Sequence, residues 1–510
     1  MANRHATSCS QGRSKVTKKK FTQRSTSKRK TVASEKLFQV LASIEYNTER
    51  VEVLETILKE LLSTGNYPAD LAKLASEIGS VQRHPLEGVI DDGLEIRNID
   101  KVFWFKQDCI LTSGIPTEYI PEYLLKKYGP YEKGFVNHYG LHVHTLLFFT
   151  STLANHIELK KSEVKFNYTP YAFKDKEEEY GNPGFIAIPP SEYIKKWKNI
   201  VTINVDEIVK QLFGVLTKRE IQKCLRILTI DTKKLGIQPE RMRFQSTPLL
   251  KLDERSLVVL EPDYLLKGLP GVYENLAKGI KQYRDSKGFT FESLVNNTVK
   301  GLPFKRLSFN DEFFENGKRY EIDSILELEQ TTWFVFATSH PPSIRSLRGD
   351  SNAIKTDLKK TVTRCLNQAK RCIGNPKVTP LLLNKGQRKR IGAIIVVDGV
   401  YPELNVTSAL KLFEEEFPTF IINWFELRLL IDQSEIDQFE EFLLWRTERP
   451  MPIVCFDEKD YWGFYFDCYT RHPRLRESFP TMQERNYRTI YISRRFNGKN
   501  YLANLAKESH

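Results

Sequence analysis

Between Lys287 and Asp398 the chain spells out an order of elements that few folds can accommodate. Phe291, Leu294, Val295 and Val299 recur at helical spacing over Thr290 to Lys300, and Gly301-Leu302-Pro303 stops that helix. Three short strands are expected next, near Phe304 to Phe309, Arg319 to Leu328 and Thr332 to Thr338. Ile354, Leu358, Val362, Cys365, Leu366, Ala369 and Ile373 then mark the inward face of a long helix from about Ala353 to Ile373. The run Ile391 to Val397 holds no polar side chain and reads as a buried strand, with Phe417 to Asn423 as another. Helix, three strands, helix, strand is an α/β pattern of the α+β kind.

The stretch from Tyr320 to His340 carries the chemical question. Its first strand holds an isolated acid, Asp323, among apolar neighbours, and its second ends in Ala337-Thr338-Ser339, small and uncharged. The element order resembles the αβββαβ core of the PD-(D/E)xK, or restriction-endonuclease-like, nuclease superfamily. More narrowly it resembles the nuclease-related domains of large bacterial proteins. Their Gly-x-x-Phe-Glu helix is matched by Gly288 to Glu292, their Glu-x-Asp strand by Glu321-Ile322-Asp323, and their helical Gln by Gln368.

That resemblance implies metal-assisted phosphodiester hydrolysis. Carboxylates on neighbouring strands hold Mg²⁺ or Mn²⁺, and a lysine two residues beyond the second acid stabilises charge in the transition state. Glu292, Asp323 and Gln368 are then the catalytic candidates, with Asp323 and Glu321 as metal ligands. Where the family places its acid and its lysine, this chain has Ala337 and Ser339. A three-residue turn at Gln330 to Thr332 would pair Asp323 with Ser339 on one face, whereas a four-residue turn would put them on opposite faces. Glu321 and Glu292 are feasible helpers, and Lys355 or Lys359 a replacement cation. The resemblance therefore implies a catalytically degenerate nuclease fold acting in nucleic-acid binding or as an adaptor. The alternatives are a Mg-dependent nuclease with migrated residues, in DNA restriction or defence, and a protein-interaction scaffold.

The rest of the chain is less specific. Residues 1–34 form a basic tail expected to be disordered, 35–99 a helical region, and 100–275 a mixed α/β region. Residues 276–425 cover the nuclease-like part and 426–510 a C-terminal extension of helices and an aromatic strand, Tyr461 to Asp467. The formal charge of +13 belongs to the tail: ten Lys and Arg and no acid lie in residues 1–30, leaving +3 on the other 480. Lys18, Lys19, Lys20, Lys28, Arg29 and Lys30 are its nucleic-acid-binding candidates, acting through phosphate neutralisation. Lys355, Lys359, Lys360, Arg364, Lys370 and Arg371 add a basic helix surface.

His138, His142 and His144 could ligate a metal, with the last two on one face of a strand, but they have no Cys or carboxylate beside them in sequence. Structural or surface roles explain them equally. The seven cysteines form no C-x-x-C pair, which argues against zinc and a disulfide framework, and Cys365 and Cys372 read as buried small residues. No apolar run reaches membrane-spanning length and no signal-peptide core is present, so an intracellular, cytoplasmic or nucleoid-associated protein is expected.

Overall fold

The computed structural model describes residues 37–43, 115–164, 191–230, 246–253, 255–262, 264–341, 343, 356–382, 390–399, 417–448, 462 and 465. The basic tail and its six candidate residues, Lys355, and most of the 35–99 region lie outside them. Helices and two sheets, one of three strands and one of five, give an α+β class.

The first part is helical. Residues 37–43 form a turn of helix that buries Leu37, Val40 and Leu41. Then come α1 (Ile120–Tyr128), α2 (Glu132–Tyr139), α3 (Val143–Glu163), α4 (Ser191–Val201), α5 (Val205–Gln211) and α6 (Lys218–Leu228). Strands β1 (Thr202–Asn204), β2 (Leu249–Lys251) and β3 (Ser256–Val259) make the small antiparallel sheet, with β3 in the middle. Two short helices, α7 (Tyr264–Lys267) and α8 (Leu269–Ala277), lead into the main unit.

That unit opens with α9 (Lys281–Val299), followed by β4 (Arg306–Glu315), β5 (Lys318–Glu327) and β6 (Thr331–Thr338). A π-helical turn at Lys359–Thr363 continues into α10 (Arg364–Cys372). Strands β7 (Arg390–Val397) and β8 (Thr419–Asn423) complete the sheet, and α11 (Trp424–Gln433) and α12 (Ile436–Glu448) follow. Strand order is β4-β5-β6-β7-β8; β4, β5 and β6 run antiparallel to one another, whereas β6, β7 and β8 are parallel.

Both faces of this sheet are covered, as the apolar β7 requires. Trp333, Val335, Ile394, Val396, Phe420 and Ile422 face α9 and the helical region, in one continuous core. Phe334, Phe336, Ala393, Ile395 and Val397 face the other way, onto Leu358, Val362, Cys365, Leu366 and Ala369. From Leu358 to Ala369 the expected inward face of the long helix is thus the buried one, with Ile373 half-buried just past the helix end and Ile354 outside the described residues, and Cys365 and Cys372 are buried free thiols. Gly392 is required where it stands: a Cβ there would lie 2.4 Å from the Trp333 ring and 2.8 Å from the Pro418 carbonyl.

Two elements run longer than their sequences suggest. Helix α9 starts at Lys281 rather than Thr290, because its first half is polar and interrupted by Gly288, which hides the helical period. Strand β4 extends to Glu315 through the polar Asn310-Asp311-Glu312. It is held there by a two-residue hairpin at Asn316-Gly317, both at positive φ (50° and 73°), the conformation a tight hairpin demands.

Elsewhere the aromatic strand at Tyr461 to Asp467 is corrected where it can be seen. Trp462 and Tyr465 take helical conformation and are buried, with ring centroids 5.2 Å from Phe442 and 5.0 Å from Trp445 respectively. They are core side chains. No helix among the described residues is long and apolar enough to cross a membrane.

Candidate functional site

The site lies where β5 and β6 part. Their ladder runs from Glu327 opposite Thr332 to Ser324 opposite Val335, and the turn is the two residues Glu329 and Gln330, closed by Leu328 N–H to Thr331 O at 2.9 Å. This register corrects the pairing of Asp323 with Ser339. Continued by one step, it sets Asp323 level with Phe336, while Ala337 and Ser339 follow Val335 on the α9 side.

The strands do not take that step. The Asp323 carboxylate itself accepts the Ala337 N–H at 2.6 Å, so a side chain fills the fork in place of a backbone partner. On the other flank, the β4–β5 ladder has no pair at Asn310 and Asp323, and Asn310 sits at φ 55°. Side-chain alternation slips by one residue there. Tyr320 and Ile322 pack with the α10-side core, as Phe313 does on β4, whereas Ser324 and Leu326 turn to α9. The left-handed asparagine and the slipped alternation turn a lone acid into the edge of two strands. Asn296 of α9 braces this point, accepting from Ser324 Oγ at 2.6 Å and donating to Asn310 Oδ1 at 3.5 Å.

Glu292 and Glu321 act on Asp323 as nearby like charges, and Arg364 of α10 as a nearby cation. Burial, with those two glutamates, pushes the Asp323 carboxyl up to about 7, despite the Ala337 N–H that favours its charged form. Burial and Glu321 raise Glu292 as well. Gln368 donates through Nε2 to the Glu321 carbonyl, and Arg371 bonds the Tyr320 hydroxyl at 2.8 Å with its guanidinium 5.0 Å from that ring. Ser339 lies across from Gly288 of α9. Just beyond it, His340 Nε2 is 3.7 Å from the buried Asp357, which accepts the Ser343 N–H at 2.7 Å.

Glu292, Glu321, Asp323, Ala337, Ser339 and Gln368 thus lie in one neighbourhood. The three acids do not form a metal shell: Glu321 is drawn toward Arg319, 3.6 Å away, and no three His, Cys, Asp or Glu side chains converge as a metal would require among the described residues. So arranged, the described residues do not fit a catalytic Mg²⁺ or Mn²⁺, which wants closely gathered oxygen ligands. Arg364, expected only as part of the basic helix surface, is a cation close to Asp323.

The histidine cluster also differs from its expectation. His142 and His144 start helix α3 instead of sharing a strand face, their rings stacked at 5.4 Å. A carboxylate does lie beside them: Glu132 of α2 bonds His142 Nδ1 and accepts the Val143 N–H at 2.9 Å. It serves as a cap for α3.

A second polar cluster, unmarked in the sequence, sits behind the ends of β6 and β7. Asp398 follows β7 directly, and its N–H bonds the Thr338 carbonyl at 3.0 Å. Its carboxylate holds Lys127 of α1 with both oxygens at 2.8 Å and accepts from the Tyr123 hydroxyl at 2.7 Å. Lys127 also reaches Glu274 of α8 at 3.4 Å, where the Tyr128 and Tyr283 hydroxyls also bond. Lys127 and Asp398 are fully buried. Burial opposes the Lys127 charge, but Asp398 and Glu274 outweigh it and hold the ammonium above its ordinary pKa.

Comparison with models of protein families, with curated proteins and with solved structures found nothing that matches this chain.

Proposed function

We propose that the protein is a nuclease-like nucleic-acid-binding protein whose catalytic site has degenerated. The reading rests on the PD-(D/E)xK resemblance of the sequence. The antiparallel β4–β5–β6 run joined in parallel to β7, with α9 on one face and α10 on the other, is compatible with it. Where the resemblance expects acid-x-Lys the chain has Ala337 and Ser339, and the remaining carboxylates repel one another.

The observation that carries binding is the outer face of the π-turn and α10. Lys359, Lys360, Arg364, Lys370 and Arg371 are exposed there, and the one acid among residues 356–382, Asp357, is buried. This one-signed surface adjoins the Asp323 fork through Arg364. Lysines and arginines so placed bind phosphates by releasing counterions, with a log–log salt slope of about −0.7 to −0.9 per contact.

Fluorescence anisotropy with labelled oligonucleotides over a salt series tests this. The protein should bind at low salt, and changing Lys359, Lys360 and Arg364 together to alanine should flatten the slope by roughly 2–3. No binding at low salt, or an unchanged slope in the triple variant, would refute the reading.

A further inference from the structure

We propose that the surface of α9 over Gly288 and Phe289 receives an unpaired base, so that the nucleic acid this protein takes is single-stranded. This rests on the nucleic-acid-binding reading above and adds the form of the ligand.

Phe289 is 72% exposed in the middle of a helix, not at a frayed end. Its helix is fixed close by, where the Tyr131 hydroxyl bonds Ser286 at 3.0 Å and Thr290 at 2.5 Å. Leaving a phenylalanine in water forgoes about 1.5–3 kcal/mol of burial. One residue earlier, Gly288 weakens the helix by about 1 kcal/mol relative to alanine. Packing among the described residues does not demand that glycine: a Cβ would meet only Ser339 Oγ there, at an ordinary 3.8 Å. A bare patch of backbone beside an exposed ring is a floor and a wall for a flat ligand.

The charges nearby select which part of a nucleotide sits there. Glu292 is three residues along the same helix from Phe289, so the two side chains are neighbours. Behind Glu292 stand Glu321 and Asp323. Carboxylates repel phosphate, so the group over Phe289 is the uncharged base. The phosphates run to the cations at the rim: Lys287, whose charge is felt at His340, and Lys360, felt at the same imidazole. Ser339 and Glu292 can hydrogen-bond the edge of a base lying on Gly288. A duplex keeps its base faces stacked and cannot offer one to Phe289.

Anisotropy with three fluorescein-labelled ligands tests the proposal: a single strand, the same strand annealed to its complement, and the strand with abasic sites. The protein should prefer the single strand to both others. Phe289→Ala, a surface change that leaves the core intact, should weaken single-strand binding by roughly 5- to 150-fold, the worth of one base–aromatic stack. Phe289→Trp should retain it. Equal binding of strand and duplex, or a Phe289→Ala protein that binds the strand like the parent, would overturn the proposal and leave nucleic-acid binding standing. A parent that binds none of the three at low salt would remove both.

Discussion

Replacing Lys127 with methionine should destabilise the protein by about 3–5 kcal/mol, the usual penalty for stripping a buried ion pair of one partner. The variant would leave Asp398 and Glu274 facing each other without the ammonium that both now bond. Methionine fills much the same volume, so a cavity cannot account for the loss. Urea unfolding of the parent, Lys127→Met, Asp398→Leu and the double variant measures it. The double variant should recover part of the deficit, since an apolar pair tolerates burial better than an orphaned charge. Single losses that simply add would show that the pair does not act as a unit. Because Asp398 N–H bonds Thr338, between Ala337 and Ser339, the same cluster steadies the strand end at the candidate site.

Asp323→Asn should have the opposite sign. A carboxyl whose folded pKa lies above its unfolded value binds more protons in the fold than in the unfolded chain. Between the ordinary Asp value of 3.8 and about 7, stability therefore falls as pH rises, and above 7 the whole penalty is in force. At about 1.36 kcal/mol per pKa unit, that penalty is roughly 4 kcal/mol. Asparagine stays neutral, and its carbonyl can still accept the Ala337 N–H. The variant should be more stable than the parent by up to that amount at pH 8, with little difference near pH 4. A variant less stable than the parent at pH 8 would mean that the Asp323 charge is a structural asset. A residue that weakens the fold in order to stand where it does is the mark of a functional site, retained or inherited.

How much of this was legible in the sequence differs by element. The αβββαβ order was, because Ile391 to Val397 and the inward face from Leu358 to Ala369 carry strong apolar patterns that local residues alone determine. The early start of α9 was not, since Lys281 to Gly288 is polar and glycine breaks the period. The second half of β4 was not either: Asn310 to Glu312 look like a loop, and only pairing with Ile322 and Glu321 makes them strand. Asp323 could be singled out as an acid in an apolar strand. Its setting in the fork could not, because that depends on a two-residue turn and on the left-handed Asn310 opposite. Lys127 and Asp398 are 271 residues apart, and no local pattern links them. The acid directly after a buried strand was the one available clue.

The most direct measurement is a gel assay that reads binding and cleavage together, on supercoiled plasmid, linear duplex, single-stranded DNA and RNA, with Mg²⁺ and with Mn²⁺. The parent should retard nucleic acid and leave it intact, as should Asp323→Ala. Cleavage by the parent that disappears in Asp323→Ala would contradict the account, because it would show that the carboxylates at the fork work as a catalytic site without the acid and lysine that the resemblance would expect at positions 337 and 339.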